Sequence, residues 1–268
     1  MFLSRSALIR SVLIGSFFLI IAIVFFVAAF FINKGEMNPV PSVIAGTVMT
    51  CLSALSTFIG IYAESVSKPF AEGTRLVRKE LQPKKFIEMY KEKSDGDNVV
   101  SRPRFDMLEL LYTAYDLTGD KSGRASAIEI MKAEMKPSYK GKIAVYAADE
   151  AYRDGDIENG DRLLSYAEEH DGSSTVSAMA DAVRKTSKAK AEGDTATEEK
   201  YYAGLLSAQG LFKADNAAVL TARWRLYHIF KSSGRDAEAE EHLTYCADHG
   251  GNTAIRKAAK AIISRSEK

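Results

Sequence analysis

Residues 144–170, AVYAADEAYRDGDIENGDRLLSYAEEH, and residues 223–249, RWRLYHIFKSSGRDAEAEEHLTYCADH, decide the fold. Laid with Gly155 over Gly234, they share one pattern. A helix with an apolar stripe leads to a glycine turn and a small residue five positions on (Gly160, Ala239). Leu164 and Leu243 follow, then Ala167 and Cys246. Apolar residues three and four apart mark the buried face of a helix, and the spacing continues upstream in Phe105, Leu108, Leu111, Tyr112 and Tyr115. Gly119, Gly155, Gly193 and Gly234 lie 36, 38 and 41 residues apart, the period of an array of helical hairpins. The chain reads as all-α, with no strand-like alternation.

The other two hairpins are less regular. In the first, Ala127 and Met131 fit only if the turn DLTGDKSGR carries a few extra residues. In the third, no small-then-large pattern follows Gly193, although Tyr202, Leu205 and Leu206 supply an apolar face. Residues 252–268, with Ile255, Ala259, Ile262 and Ile263 on one stripe, read as a capping helix.

The two regular stretches resemble tetratricopeptide (TPR) repeats. Phe230 stands where that family has an aromatic near the end of the first helix, and Ala151 replaces it in the earlier copy. The resemblance implies an α-solenoid of about four TPR-like helix pairs over residues 103–268. Stacked hairpins of this kind bury one continuous core and leave a groove for peptides or helices. The family's groove positions fall on Lys142, Val145, Asp149, Tyr152 and Arg153, and on Thr221, Trp224, His228 and Lys231. Trp224, the one tryptophan, has the composition of an interface anchor; packing against the neighbouring hairpin is its other reading. The family's clamp for a terminal carboxylate is not expected, because Asp149 and His228 stand where asparagine is wanted.

Outward from the repeats, the average composition hides a membrane end. The 268 residues are 46% hydrophobic and 26% charged with net charge +1. Yet residues 11–32, SVLIGSFFLIIAIVFFVAAFFI, and residues 40–63, VPSVIAGTVMTCLSALSTFIGIYA, carry no charge. At 1.5 Å per residue each run spans a hydrocarbon core of about 30 Å. The first is too long for a secretory h-region and lacks a cleavage site. The second is rich in Ser and Thr, which suits packing against another helix or bonding back to its own carbonyls. A seven-residue connection makes residues 1–66 a transmembrane hairpin. Arg5 and Arg10 on one flank, and the basic stretch after the second run, place both termini and the polar domain in the cytoplasm by the positive-inside rule. An inner, bacterial membrane is expected, since no organellar transit peptide is visible.

Residues 67–102 read as a basic juxtamembrane linker broken by Pro69 and Pro83, with a short amphipathic helix over residues 84–93 and a loop at SDGDN. Lys68, Arg75, Arg78, Lys79, Lys84 and Lys85 form a collar that attracts anionic headgroups or serves only as the topology signal. By segment, residues 1–66, 67–104 and 105–268 carry +1, +4 and −4, which favours a cationic or mixed-charge protein partner over nucleic acid.

No chemistry-bearing motif survives this reading. His242, Cys246 and His249 have ligand-like spacing but lack a fourth ligand, and Cys246 sits at the repeat's packing position. TGDKSGRASAIE (118–129) echoes a calcium loop without its first acidic ligand. No cofactor, metal or catalytic residue is expected. The expected role is a docking platform that recruits or assembles proteins at the membrane; the alternative is an accessory subunit held through its transmembrane hairpin.

Overall fold

The computed structural model describes residues 2–32, 40–96, 98–101, 103–208 and 215–266. The chain begins with β1 (Phe2–Ser4), α1 (Arg5–Ile32) and α2 (Val40–Tyr62), then a π turn (Ala63–Ser67), α3 (Lys68–Thr74) and a second π turn (Arg75–Lys79). Next come α4 (Pro83–Asp95), β2 (Asn98–Ser101), α5 (Phe105–Thr118), α6 (Lys121–Glu134), α7 (Lys140–Arg153) and α8 (Ile157–His170). The remainder is α9 (Ser174–Val183), a π turn (Arg184–Lys188), α10 (Ala189–Glu192), α11 (Thr195–Ser207), α12 (Asn216–Ser232), α13 (Asp236–His249) and α14 (Ala254–Ser266). The connection expected at residues 33–39 lies outside the described residues. Two compact units result, Met1–Glu72 with Lys91–Arg102, and Gly73–Tyr90 with Pro103–Lys268.

In the first unit, α1 and α2 are each long and apolar enough to cross a membrane, by length and composition. They pack antiparallel: Ser11 lies against Gly60, and Gly15 against Ser53 and Thr57. Ala7, Ser11, Gly15 and Ala22 form the buried stripe of α1, and their small size lets the backbones approach closely. Both readings of the Ser/Thr content hold. Ser53 Oγ donates across the pair to the Gly15 carbonyl at 2.6 Å, while Thr57 Oγ1 donates within α2 to the Ser53 carbonyl at 3.0 Å. The large apolar side chains point outward: Leu13, Phe17, Ile20 and Val24 on α1, and Phe58 and Ile59 on α2, are 56–66% exposed.

The chain is all-α as expected, with one short strand pairing besides. β1 pairs antiparallel with β2, Leu3 opposite Val100, in a two-stranded ladder. Three- and four-residue strands are too short to show a period of two, so pairing between distant segments overrides local pattern. The ladder also takes over the end of the expected SDGDN loop, since β2 begins at Asn98.

The second unit holds four helical hairpins, α5–α6, α7–α8, α9/α10–α11 and α12–α13. Gly119, Gly155, Gly193 and Gly234 occupy the four turns at φ 74°, 80°, 76° and 74°. Each ends its helix in the left-handed conformation that glycine adopts without strain. The next residue donates its N–H back five positions: Asp120 to Tyr115, Asp156 to Ala151, Asp194 to Ala189 and Arg235 to Phe230, at 2.8–2.9 Å. In the first three, the aspartate then caps the following helix by accepting from Gly123, Asn159 or Thr197 N–H. The first turn therefore contains no extra residues, contrary to expectation. Nine positions after each glycine stand Ile128, Leu164, Tyr202 and Leu243, all buried.

The five-position register explains why two hairpins look degenerate. Gly160 and Ala239 are matched there by Arg124 and Glu198, charged yet buried. In the first hairpin the close approach moves one residue earlier, to Gly123, whose missing Cβ leaves room for the Tyr115 ring; Gly160 does the same for Tyr152.

Two features depart from an open solenoid, in which a repeat touches only its neighbours. First, the ends meet: α14 packs on α5 as well as on α12 and α13. Second, Gly73–Tyr90, expected as linker, belongs to this unit. Leu76, Val77, Leu81 and Phe86 are buried, the Leu81 carbonyl accepts from Asn252 N–H at 2.8 Å, and the Lys79 carbonyl accepts from Asn216 Nδ2 at 2.6 Å. Pro69 ends no helix: it stands just after the π turn Ala63–Ser67, and α3 continues from that turn without a gap. The short helix expected at 84–93 is present as α4, with Phe86 and Tyr90 buried.

Candidate functional site

Where the ends of the hairpin array meet, first helices together with α11 and α14 line a cavity of about 300 Å³. It continues into one of about 260 Å³ that shares Asp116, Leu117, Thr186, Tyr202 and Thr221. Arg153 from the second hairpin and Thr221 and Trp224 from the fourth, three of the expected groove residues, line it together. Trp224 is half-buried. Its ring stacks on Tyr227 at 5.4 Å and meets His228 edge-on at 4.5 Å, which fixes the indole face at low conformational cost.

The floor is ionic. Arg153 binds Asp116 at 2.6 Å and Asp149 at 2.9 Å, and Arg124 binds Glu150 at 2.6 Å and Asp116 at 3.3 Å. Tyr112 Oη lies 2.7 Å from both Asp149 and Glu150, and Ser187 also donates to Asp149. Burial and the adjacent Asp149 carboxylate push the Tyr112 hydroxyl far above the usual phenol range. Across the cavity Glu198, buried, binds Arg225 at 2.5 Å. Lys190 also lines the cavity, and burial with the nearby Arg225 charge holds it below the usual lysine range. Burial, then Arg225 and Lys190, likewise lowers His228. The lining is thus locally cationic, with Arg153, Lys190 and Arg225 against Asp116 and Glu198, although the hairpin domain as a whole is acidic.

The other expected groove residues are elsewhere. Val145 and Tyr152 are core, packed with Ala148, Leu164, Ala167, Val176 and Ala180, and the Tyr152 hydroxyl donates to Asp161 at 2.6 Å. Asp149 is buried in the ionic floor. Lys142 lies over the Phe105 and Tyr139 rings, 5.5 and 5.9 Å from their centroids. Lys231 is exposed and bound to Asp236 at 2.8 Å. One cause covers Val145, Asp149 and Tyr152. The third hairpin lies over the groove face of α7, whereas the same register on α12 is left partly open at the end of the array. Sequence reasoning missed Lys190, Glu198 and Ser187, because the irregular third hairpin offered no register, and Arg225, which lies beside Trp224 outside the family's groove positions. The first helix of that hairpin contains a π turn over Arg184–Lys188, which adds a residue and shifts every position after it.

The basic collar is divided. Arg78 lines the cavity and lies 3.9 Å from Asp215. Arg75 pairs with Glu80, and Lys68 with Glu64 at 2.5 Å. Lys79, Lys84 and Lys85 are exposed.

Cys246 is buried with Sγ 3.9 Å from the Leu220 carbonyl, and burial pushes its thiol up to about 12. Among the described residues no three His, Cys, Asp or Glu side chains converge for a metal. The calcium-like stretch is helix from Lys121 onward, with Asp120 as its cap.

No protein-family model matches the sequence, and comparisons with curated proteins and with solved structures find no match. The chain is therefore described by its own architecture, tandem helical hairpins preceded by two helices apolar enough to span a bilayer.

Proposed function

We propose that the protein is a membrane-anchored, TPR-like docking platform, whose α1–α2 pair spans an inner membrane and whose hairpin domain binds a protein partner on the cytoplasmic side. The observation that carries this reading is the cavity to which Arg153, Thr221 and Trp224 contribute from separate hairpins. An aromatic anchor beside guanidinium groups and hydroxyls, in a concave setting, is the composition of an interface hot spot. Membrane anchoring rests on the length and apolarity of α1 and α2 and on their outward-facing large side chains. The cytoplasmic placement rests on the distribution of basic residues.

The test is affinity purification of the full chain in mild detergent, with the bound proteins identified for wild type, Trp224→Ala and Thr221→Arg. Loss of the same protein from both variants, with melting temperature unchanged, is the expected result. An unchanged set of bound proteins means that the cavity is not the docking site. If exchanging α1–α2 for an unrelated hairpin removes them instead, the chain is an accessory subunit held through its helices.

A further inference from the structure

A cavity of about 710 Å³ in the second unit lies on the face of the second helices; it shares no lining residue with the two cavities above and meets their ionic floor only at Glu150. It is a trough between α6 and α8 with α7 as its floor. It exists because small residues stand where larger ones would close it: Ala125 on α6, and Ala147 and Ala151 on α7. Leu163, Met135 and Tyr166 make the accessible apolar walls, and Tyr166 is 36% exposed. The trough follows α7 along its 14 residues, roughly 21 Å at 1.5 Å per residue, the length of a four-turn helix.

Its two ends differ in charge. At one end the acids are engaged: Asp154 binds Lys121 at 2.6 Å and Asp156 caps α8 by accepting from Asn159 N–H. At the other end stand Lys132, Lys136 and Lys140, all exposed. Lys132 pairs with the still more exposed Glu129, and no ion pair reaches Lys136 or Lys140 among the described residues. An occupant must therefore be apolar along its length and anionic at the lysine end. An open trough of this length and width fits one face of a helix rather than a fully enclosed small molecule. A helix lying parallel to α6 and α8 also brings its negative C-terminal end to those lysines.

We infer that this trough is a second docking site, taking an amphipathic helix of a partner protein, with its apolar stripe on Leu163, Met135 and Tyr166 and acidic residues in its last turns against Lys132, Lys136 and Lys140. The proposal is independent of the groove reading and survives its failure.

Two synthetic fluorescein-labelled 14-residue amphipathic peptides test it, identical in their leucine stripe and carrying either glutamates or lysines in the last two turns. Binding is read by fluorescence anisotropy against the full chain in nanodiscs, with empty nanodiscs subtracted. The glutamate peptide should bind at least tenfold tighter than the lysine peptide, and Lys136→Glu with Lys140→Glu should reverse that preference. Ala147→Trp, which fills the trough, should weaken both peptides about tenfold, while Trp224→Ala should change neither. Equal binding of the two peptides, no reversal by the double substitution, or insensitivity to Ala147→Trp in a protein of unchanged melting temperature each overturns the proposal. So does a photoreactive side chain at Ala147, in the native membrane, that couples to lipid or to a second copy of the chain.

Discussion

The two units are packed in opposite senses. In the first, Ser11, Gly15 and Ser53 are inside while Leu13, Phe17 and Phe58 face out. In the second, Leu76, Phe86, Leu108 and Leu226 are inside and lysines and glutamates cover the surface. Apolar burial from water favours the second arrangement at about 25 cal/mol per Å². It gives no reason for the first, in which the largest apolar side chains are left exposed. Where lipid is the solvent, tail contacts equal leucine contacts, and close backbone approach through small residues decides which faces meet. On the membrane-anchored reading proposed above, one chain is composed for two solvents, and the rules for reading burial are inverted between its ends.

The sharpest way to break the contrast is to enlarge a small interface residue in the first unit. The Cβ positions of Ser11 and Gly60 lie about 3.4 Å apart, within reach of disulfide geometry. Ser11→Cys with Gly60→Cys, in a Cys51→Ser background, should therefore crosslink α1 to α2 on oxidation. Adding Gly15→Leu, whose side chain has no room beside Thr57, should abolish the crosslink, whereas Phe17→Ala on the outer face should leave it intact. Gel mobility after cleavage between the helices reports both.

In the second unit the largest effect should come from the buried ion pair. Glu198→Gln leaves Arg225 without its counter-charge and should cost about 3 kcal/mol, seen in urea unfolding. Glu198→Leu with Arg225→Met should recover much of that loss. Gly160→Val forces a side chain into the Tyr152 ring and should cost about 2 kcal/mol by overpacking. Gly155→Ala meets no neighbour but keeps φ at 80°, so only the left-handed strain of about 1 kcal/mol remains.

The smallest effect is a pH dependence. Burial, reinforced by adjacent guanidinium charge, lowers His228 and His242 below the ordinary 6.5. The unfolded chain therefore binds these protons first as pH falls. Stability should be fully present above about 6.5 and decline as pH drops toward the folded-state values. Melting curves of His228→Gln with His242→Gln should show a flatter profile between pH 7.5 and 5.5.

The readability of the sequence follows from what each signal depends on. The four turn glycines were legible, as were Leu164, Tyr202 and Leu243 nine positions after three of them, because a left-handed turn and a 3.6-residue stripe are local requirements; Ile128, in the same register of the first hairpin, was missed. The extent of α1 and α2 was legible for the same reason. The antiparallel pairing of Leu3 with Val100 and the meeting of α14 with α5 were not, since both join segments far apart in the chain. Periodicity also told that α7 has a buried face without telling what covers it. Val145 and Tyr152 thus passed for groove residues, while Arg153 and Trp224 line the cavity. Arg124 and Glu198 hid two repeats because a paired charge occupied a position where sequence pattern asks for a small residue.

The most direct test uses the two native cysteines. Cys51 is exposed on α2 and Cys246 is buried in the fourth hairpin, so by geometry alone a water-soluble maleimide should reach Cys51 first. The two-solvent account predicts the opposite of that simple expectation. In intact membranes, with Cys246→Ser in place, Cys51 should stay unlabelled while an added Lys84→Cys reacts at once, and Cys51 should react only after the bilayer is dissolved in denaturing detergent. Labelling of Cys51 in the membrane at the rate of Lys84→Cys would contradict the claim that lipid covers the outer face of the pair.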